Sequence, residues 1–84
     1  ENPALYTTQI QASQLHWISE NHPDLPASLS AKVRYRQQDQ QCTINSIDDG
    51  TATVAFDKPV FAATPGQSVV FYDNDICLGG GIIQ

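Results

Sequence analysis

Lys32, Arg34 and Arg36 stand at every second position of KVRYRQQDQQ, residues 32–41, and are three of only four basic residues in an 84-residue chain of formal net charge -5. On an extended strand that spacing puts all three on one face, about 6.6 to 7 Å apart. This roughly matches the ~7 Å between successive phosphates of a nucleic-acid backbone. Two of the three are arginines, whose planar forks suit bidentate phosphate contact. The competing reading is a solvated strand face whose charge resists edge pairing.

Other residue types capable of chemistry form no comparable pattern. Gly79, Gly80 and Gly81 are followed by Ile82, Ile83 and Gln84, whereas a phosphate loop opens onto a helix N-terminus and carries Lys and Ser or Thr. Strand glycines permitting close backbone approach are the expectation. His16 and His22 lack the Cys or carboxylate companions of a metal centre; His16, beside Trp17, is expected at a barrel rim. The acidic residues fall mostly in turns, as Asp48, Asp49, Asp73 and Asp75 do, where they hydrogen-bond their own backbone. Cys42 and Cys77 sit in apolar runs outside any CxxC arrangement and are expected to be reduced and packed. A Cys42–Cys77 disulfide in an exported protein-binding barrel is the alternative. No catalytic residue is assigned.

The elements that must position the basic triplet read as strands, because apolar residues recur with period two and nowhere with a sustained helical period. Residues 28–36 alternate Leu29, Ala31, Val33 and Tyr35 with Ser28, Ser30, Lys32, Arg34 and Arg36. Strands over 41–47 and 51–56 flank the hairpin signal DDG at 48–50. TPGQ, 64–67, places Pro65 and Gly66 at the centre of a type II turn, and leads into SVVFY, 68–72. DND, 73–75, returns the chain into a last strand. In 4–18 the apolar parity changes between Ala12 and Leu15, which a bulge near Ser13 and Gln14 would reconcile. Residues 19–26 read as a loop. Six or seven short strands without a helix predict one small all-β domain over 1–84, an antiparallel β-barrel whose closure removes exposed edges.

Hydrophobic residues make up 40% of the chain, so it is expected to fold rather than stay disordered. No run approaches the ~20 apolar residues of a membrane helix. The chain contains no methionine, which suggests a domain excised from a longer protein.

LHWI (15–18), AKVRYRQQDQQCTI (31–44), VAFDKPVFAATPGQSVVFYDND (54–75) and CLGGGII (77–83) together closely resemble the C-terminal domain of bacterial tRNA-specific 2-thiouridylases. The TPGQ-to-LGGG block is the most specific part. One departure is Asn74, where the family usually has glycine; it bears on turn stability.

The resemblance implies a barrel similar to those of translation factors, within a three-domain cytoplasmic enzyme that replaces the C2 oxygen of a tRNA wobble uridine with sulfur. It implies ATP and a persulfide sulfur donor for the full-length enzyme, with no cofactor in this domain. The expected partners are tRNA, the enzyme's own N-terminal and central domains, and a sulfur-relay protein; no membrane is involved. An SGGxDS loop and the catalytic cysteines of the family lie in N-terminal regions outside this sequence, and Cys42 and Cys77 match neither. tRNA contacts carry over onto Arg34, Tyr35 and Gln67, with Lys32 and Arg36 as weaker candidates. Alternation turns Tyr35 toward the core while the resemblance turns it toward RNA, and a strand-end position would satisfy both. The alternative function is a structural barrel that buttresses its neighbours without touching RNA.

Overall fold

The computed structural model describes residues 6–33, 39–61 and 63–84. Six strands follow one another: β1 (Tyr6–Trp17), β2 (Ala27–Lys32), β3 (Gln40–Asp48), β4 (Thr51–Phe61), β5 (Ser68–Asp73) and β6 (Ile76–Ile83). They close in the order β1-β4-β3-β2-β5-β6, every neighbouring pair antiparallel. The all-β barrel expected from the sequence is therefore present, with six strands.

Alternation sets the inside. In β2, Ala27, Leu29 and Ala31 are buried while Ser28 is exposed and Lys32 half-buried. Fully enclosed Ala12, Ala31 and Ala52 share the interior with Ile44, Val54, Val69 and Phe71, the mixture of small and large side chains that lets a narrow barrel fill without voids. Phe71 stacks on Trp17 with ring centroids 5.8 Å apart and planes 24° from parallel. Such a pair adds about 0.5 to 1.5 kcal/mol to the burial of the rings.

Three turn expectations hold. Asp49 and Gly50, with φ of 52° and 74°, form the two-residue β3–β4 loop with the double positive φ of a type I′ turn. Gly66 has φ 91°, and the Gln67 amide donates to the Thr64 carbonyl at 3.2 Å, as a type II turn requires. Asn74, with φ 55°, starts the β5–β6 loop. β1 is irregular where its apolar parity changes: its register against β6 shifts between Ser13 and His16, and Gln14 has φ 51°. The bulge brings Leu15 and Trp17 back against the core.

β6 can sit in this wall because its glycines lack side chains. A Cβ on Gly79 would collide with the His16 carbonyl oxygen and one on Gly80 with that of Val69, while one on Gly81 would lie 2.6 Å from the Ser13 carbonyl oxygen. Close approach of three backbones, rather than anion binding, explains GGG.

Two strand boundaries differ from the sequence reading. The strand expected over 28–36 ends at Lys32, followed by a bend at buried Val33; the rest of that expectation lies outside the described residues. The strand expected over 51–56 runs on to Phe61, pairing Val60 with Thr7 and Phe61 with Tyr6. β1 supplies the partner that continues β4 beyond β3. Pro59, which cannot donate to a ladder, falls in the stretch where the β1–β4 register shifts.

Candidate nucleic-acid interface

Antiparallel closure sorts the loops between two rims. One rim holds the ends of β1, β3 and β5 with the starts of β2, β4 and β6, and its connections carry Glu20, Asp24, Asp48, Asp49, Asp73 and Asp75. The other rim gathers Lys32 at the end of β2, Asp39, Gln40 and Gln41 at the start of β3, Asp57 and Lys58 in β4, and Gln67 just before β5. The β2–β3 connection, with Arg34 and Arg36 in its sequence, leaves from and returns to this second rim. Among the described residues, both lysines of this net-acidic chain lie at one end, together with Asp39 and Asp57.

Lys32 is positioned by two neighbours. Its Nζ lies 3.5 Å from an Asp39 carboxylate oxygen and 5.8 Å from the centroid of the Tyr72 ring. The ion pair is about one-third exposed on each side, where such pairs contribute about 0 to 1 kcal/mol. Exchange of Asp39 for a phosphate oxygen would therefore cost little.

Gln67 is tied into the turn that presents it. Its side-chain Oε1 accepts a hydrogen bond from the Thr64 amide at 3.2 Å, and its backbone carbonyl accepts from the Ile83 amide at 2.8 Å. The Gly66 amide donates to the Ile83 carbonyl at 2.8 Å, fastening the turn to the end of β6. This structural work was not visible in the sequence. It orients the half-buried side chain, with the amide nitrogen as the group that can donate to a ligand.

The structure brings Lys32 and Gln67 to one rim, through the pairing of Lys32 with Val70, three residues beyond Gln67. Arg34, Tyr35 and Arg36 lie outside the described residues, as does the question of which way Tyr35 faces. Lys58, the fourth basic residue and not singled out by the sequence reading, is exposed at this same rim. The signal that could have found it was the continuation of β4 past Phe56.

Among the described residues no group of three or more His, Cys, Asp or Glu could hold a metal ion. Both cysteines are free, Cys42 buried and Cys77 half-buried, so the disulfide alternative is overturned. Burial, reinforced by the negative charge of Asp57, pushes the Cys42 thiol up to about 11, opposite to what a nucleophile needs. His16 is an exposed strand residue of β1, and His22 donates from Nδ1 to the Pro23 carbonyl at 2.7 Å in the loop.

A closed antiparallel six-strand barrel of this size is a recurrent domain class, and the chain belongs to one such family. Residues 7–83 match the aminomethyltransferase beta-barrel domain. Over its whole length the chain is 53% identical to the tRNA-specific 2-thiouridylase MnmA of Shewanella amazonensis, of which it spans 22%. It is 55% identical over 83 residues to MnmA of Protochlamydia amoebophila, and 55% identical over 84 residues to MnmA of Lacticaseibacillus paracasei; each alignment again spans 22% of the relative. The chain is similar to the C-terminal region of these proteins and covers less than a quarter of their length. No helix of the described residues is long and apolar enough to cross a membrane.

Proposed function

We propose that this barrel is the tRNA-docking module of a tRNA-specific 2-thiouridylase, acting in the cytoplasm and itself non-catalytic. The observation that carries the reading is that both described lysines, Lys32 and Lys58, lie at one rim, balanced there by Asp39 and Asp57, while the charged residues in the connections of the other rim are all acidic. Arg34 takes a backbone phosphate, with Lys32 and Arg36 flanking it. Tyr35 and the amide of Gln67 add contacts at the same rim. The reaction, replacement of the C2 oxygen of the wobble uridine by sulfur, runs on the N-terminal and central parts of the longer protein. Those parts bind ATP and receive persulfide sulfur from a relay protein.

Three phosphate contacts give a salt slope of only about 2 to 3 log units of affinity per log of salt, and the remaining surface is acidic. The isolated barrel therefore binds tRNA weakly, and its contribution comes through tethering at an effective concentration on the order of millimolar. The test is Arg34→Ala in the complete protein: tRNA affinity falls while ATP affinity stays. Unchanged tRNA affinity removes the docking role.

A second reading, a barrel that buttresses the rest of the polypeptide, draws on Ile18 and Ile76, which are 62% and 67% exposed near the acidic rim. Under that reading, neutralising Lys32, Arg34 and Arg36 together changes neither tRNA retention nor its salt dependence.

A further inference from the structure

The start of β3 and the outer part of β4 enclose a groove of about 270 Å³ lined by Asp39, Gln40, Gln41, Asp57 and Lys58. Every lining side chain is polar or charged, so the groove is not built for an apolar ligand. Asp39 joins it to the docking rim, since the same side chain pairs with Lys32 at 3.5 Å. Lys58 is exposed, and among the described residues it makes no ion pair, although Asp57 precedes it and Asp39 shares the groove. Gln41 is held in place by donating from Nε2 to the Ser30 hydroxyl at 3.0 Å.

We propose that this groove seats one ribose-phosphate unit of RNA, with Lys58 on the phosphate and the Asp57 carboxylate accepting a hydrogen bond from the 2′-hydroxyl. The inference rests on the tRNA-docking reading and extends its footprint from β2 across β3 to β4. A size near the lower end of small-molecule sites fits a single sugar-phosphate. A carboxylate repels phosphate but takes a hydroxyl proton, and the 2′-hydroxyl is the group that distinguishes RNA from DNA. The contact is to the backbone, so it positions the RNA without reading sequence.

The test uses the complete protein with a tRNA transcript, an RNA stem-loop and the all-deoxy version of that stem-loop, titrated between about 50 and 200 mM salt. Lys58→Ala is expected to weaken tRNA binding about fivefold to tenfold and to lower the salt slope by about 0.7 to 0.9, while Lys58→Arg retains both. Asp57→Ala is expected to narrow the preference for the RNA over the deoxy stem-loop. Arg34→Ala is run in parallel. If it weakens tRNA binding while Lys58→Ala leaves affinity and slope unchanged, the groove is overturned and docking stands. If neither variant has an effect, docking fails and the groove falls with it. An unchanged RNA-to-DNA ratio in Asp57→Ala overturns the 2′-hydroxyl assignment.

Discussion

Adding one methyl group at Gly80 tests whether the barrel closes as described. The Cβ of Gly80→Ala would lie inside contact distance of the Val69 carbonyl oxygen and 3.3 Å from the Val70 Cα. Both obstacles are backbone atoms of β5, so no rotamer change relieves them and β5 must move away from β6. Overpacking of this kind costs about 1 to 3 kcal/mol, and weakening a neighbouring ladder hydrogen bond adds about 1 kcal/mol. A loss of about 2 to 4 kcal/mol is a large share of the roughly 4 to 13 kcal/mol expected for a domain of this size. At about 4 to 8 °C per kcal/mol, the melting temperature drops by about 8 to 32 °C, followed by circular dichroism or by the fluorescence of Trp17, which loses its stacking on Phe71. Gly50→Ala is the comparator: its φ is 74° but nothing lies within 4 Å of the added Cβ, so only the left-handed backbone penalty of about 1 kcal/mol applies. Melting of Gly80→Ala within about 3 °C of the parent, or above Gly50→Ala, would refute the packing argument.

Cys42 is expected to resist alkylation near pH 8 until the barrel unfolds, with half-buried Cys77 reacting first, as mass spectrometry of the labelled thiols would show. The same thiol makes stability pH-dependent. Its folded value of about 11 lies above the ordinary 9.0, so the folded state holds the proton more tightly; the contribution is complete below about pH 9 and is lost between 9 and 11. The unfolding free energy should fall across that window by up to about 3 kcal/mol, read from denaturant titrations, and a Cys42→Ser variant should flatten this part of the curve. Gln67→Ala removes the acceptor for the Thr64 amide and should cost about 0.5 to 1.5 kcal/mol. A thermal melt separates that cost from any loss in tRNA affinity, which Gln67→Glu, retaining the acceptor but not the amide donor, should show without the melt.

The inside of the barrel was legible because burial imposes a strict period of two: Leu29, Ala31 and Val33 were read as core, and the structure buries all three. Turns were legible wherever backbone geometry demands a residue type, as at Gly50, Gly66 and Asn74. Even the change of parity in β1 had a physical signature, since a bulge is the cheapest way to turn Leu15 and Trp17 back inward. Strand ends were harder. Nothing local to Asp57 through Phe61 announces that β4 will run on to pair Val60 and Phe61 with β1, because that partner is distant in sequence and the decision is made by barrel closure. For the same reason Lys58 was not singled out, although its position at the rim of Lys32 is fixed once β4 is extended. Gln67 was singled out as a contact residue, but its hydrogen bond to Thr64 becomes visible only when the turn is built.

The sorting of charge between the rims also dictates an order of events. At physiological salt the screening length is about 8 Å, so an approaching polyanion first meets the excess negative charge of the whole molecule and only within roughly that distance senses the individual lysines at one end. Under the proposed docking role, the barrel is therefore poorly suited to capturing RNA from solution and well suited to aligning RNA already held nearby. In that role it acts late, as a vane that fixes orientation after something else has made the catch.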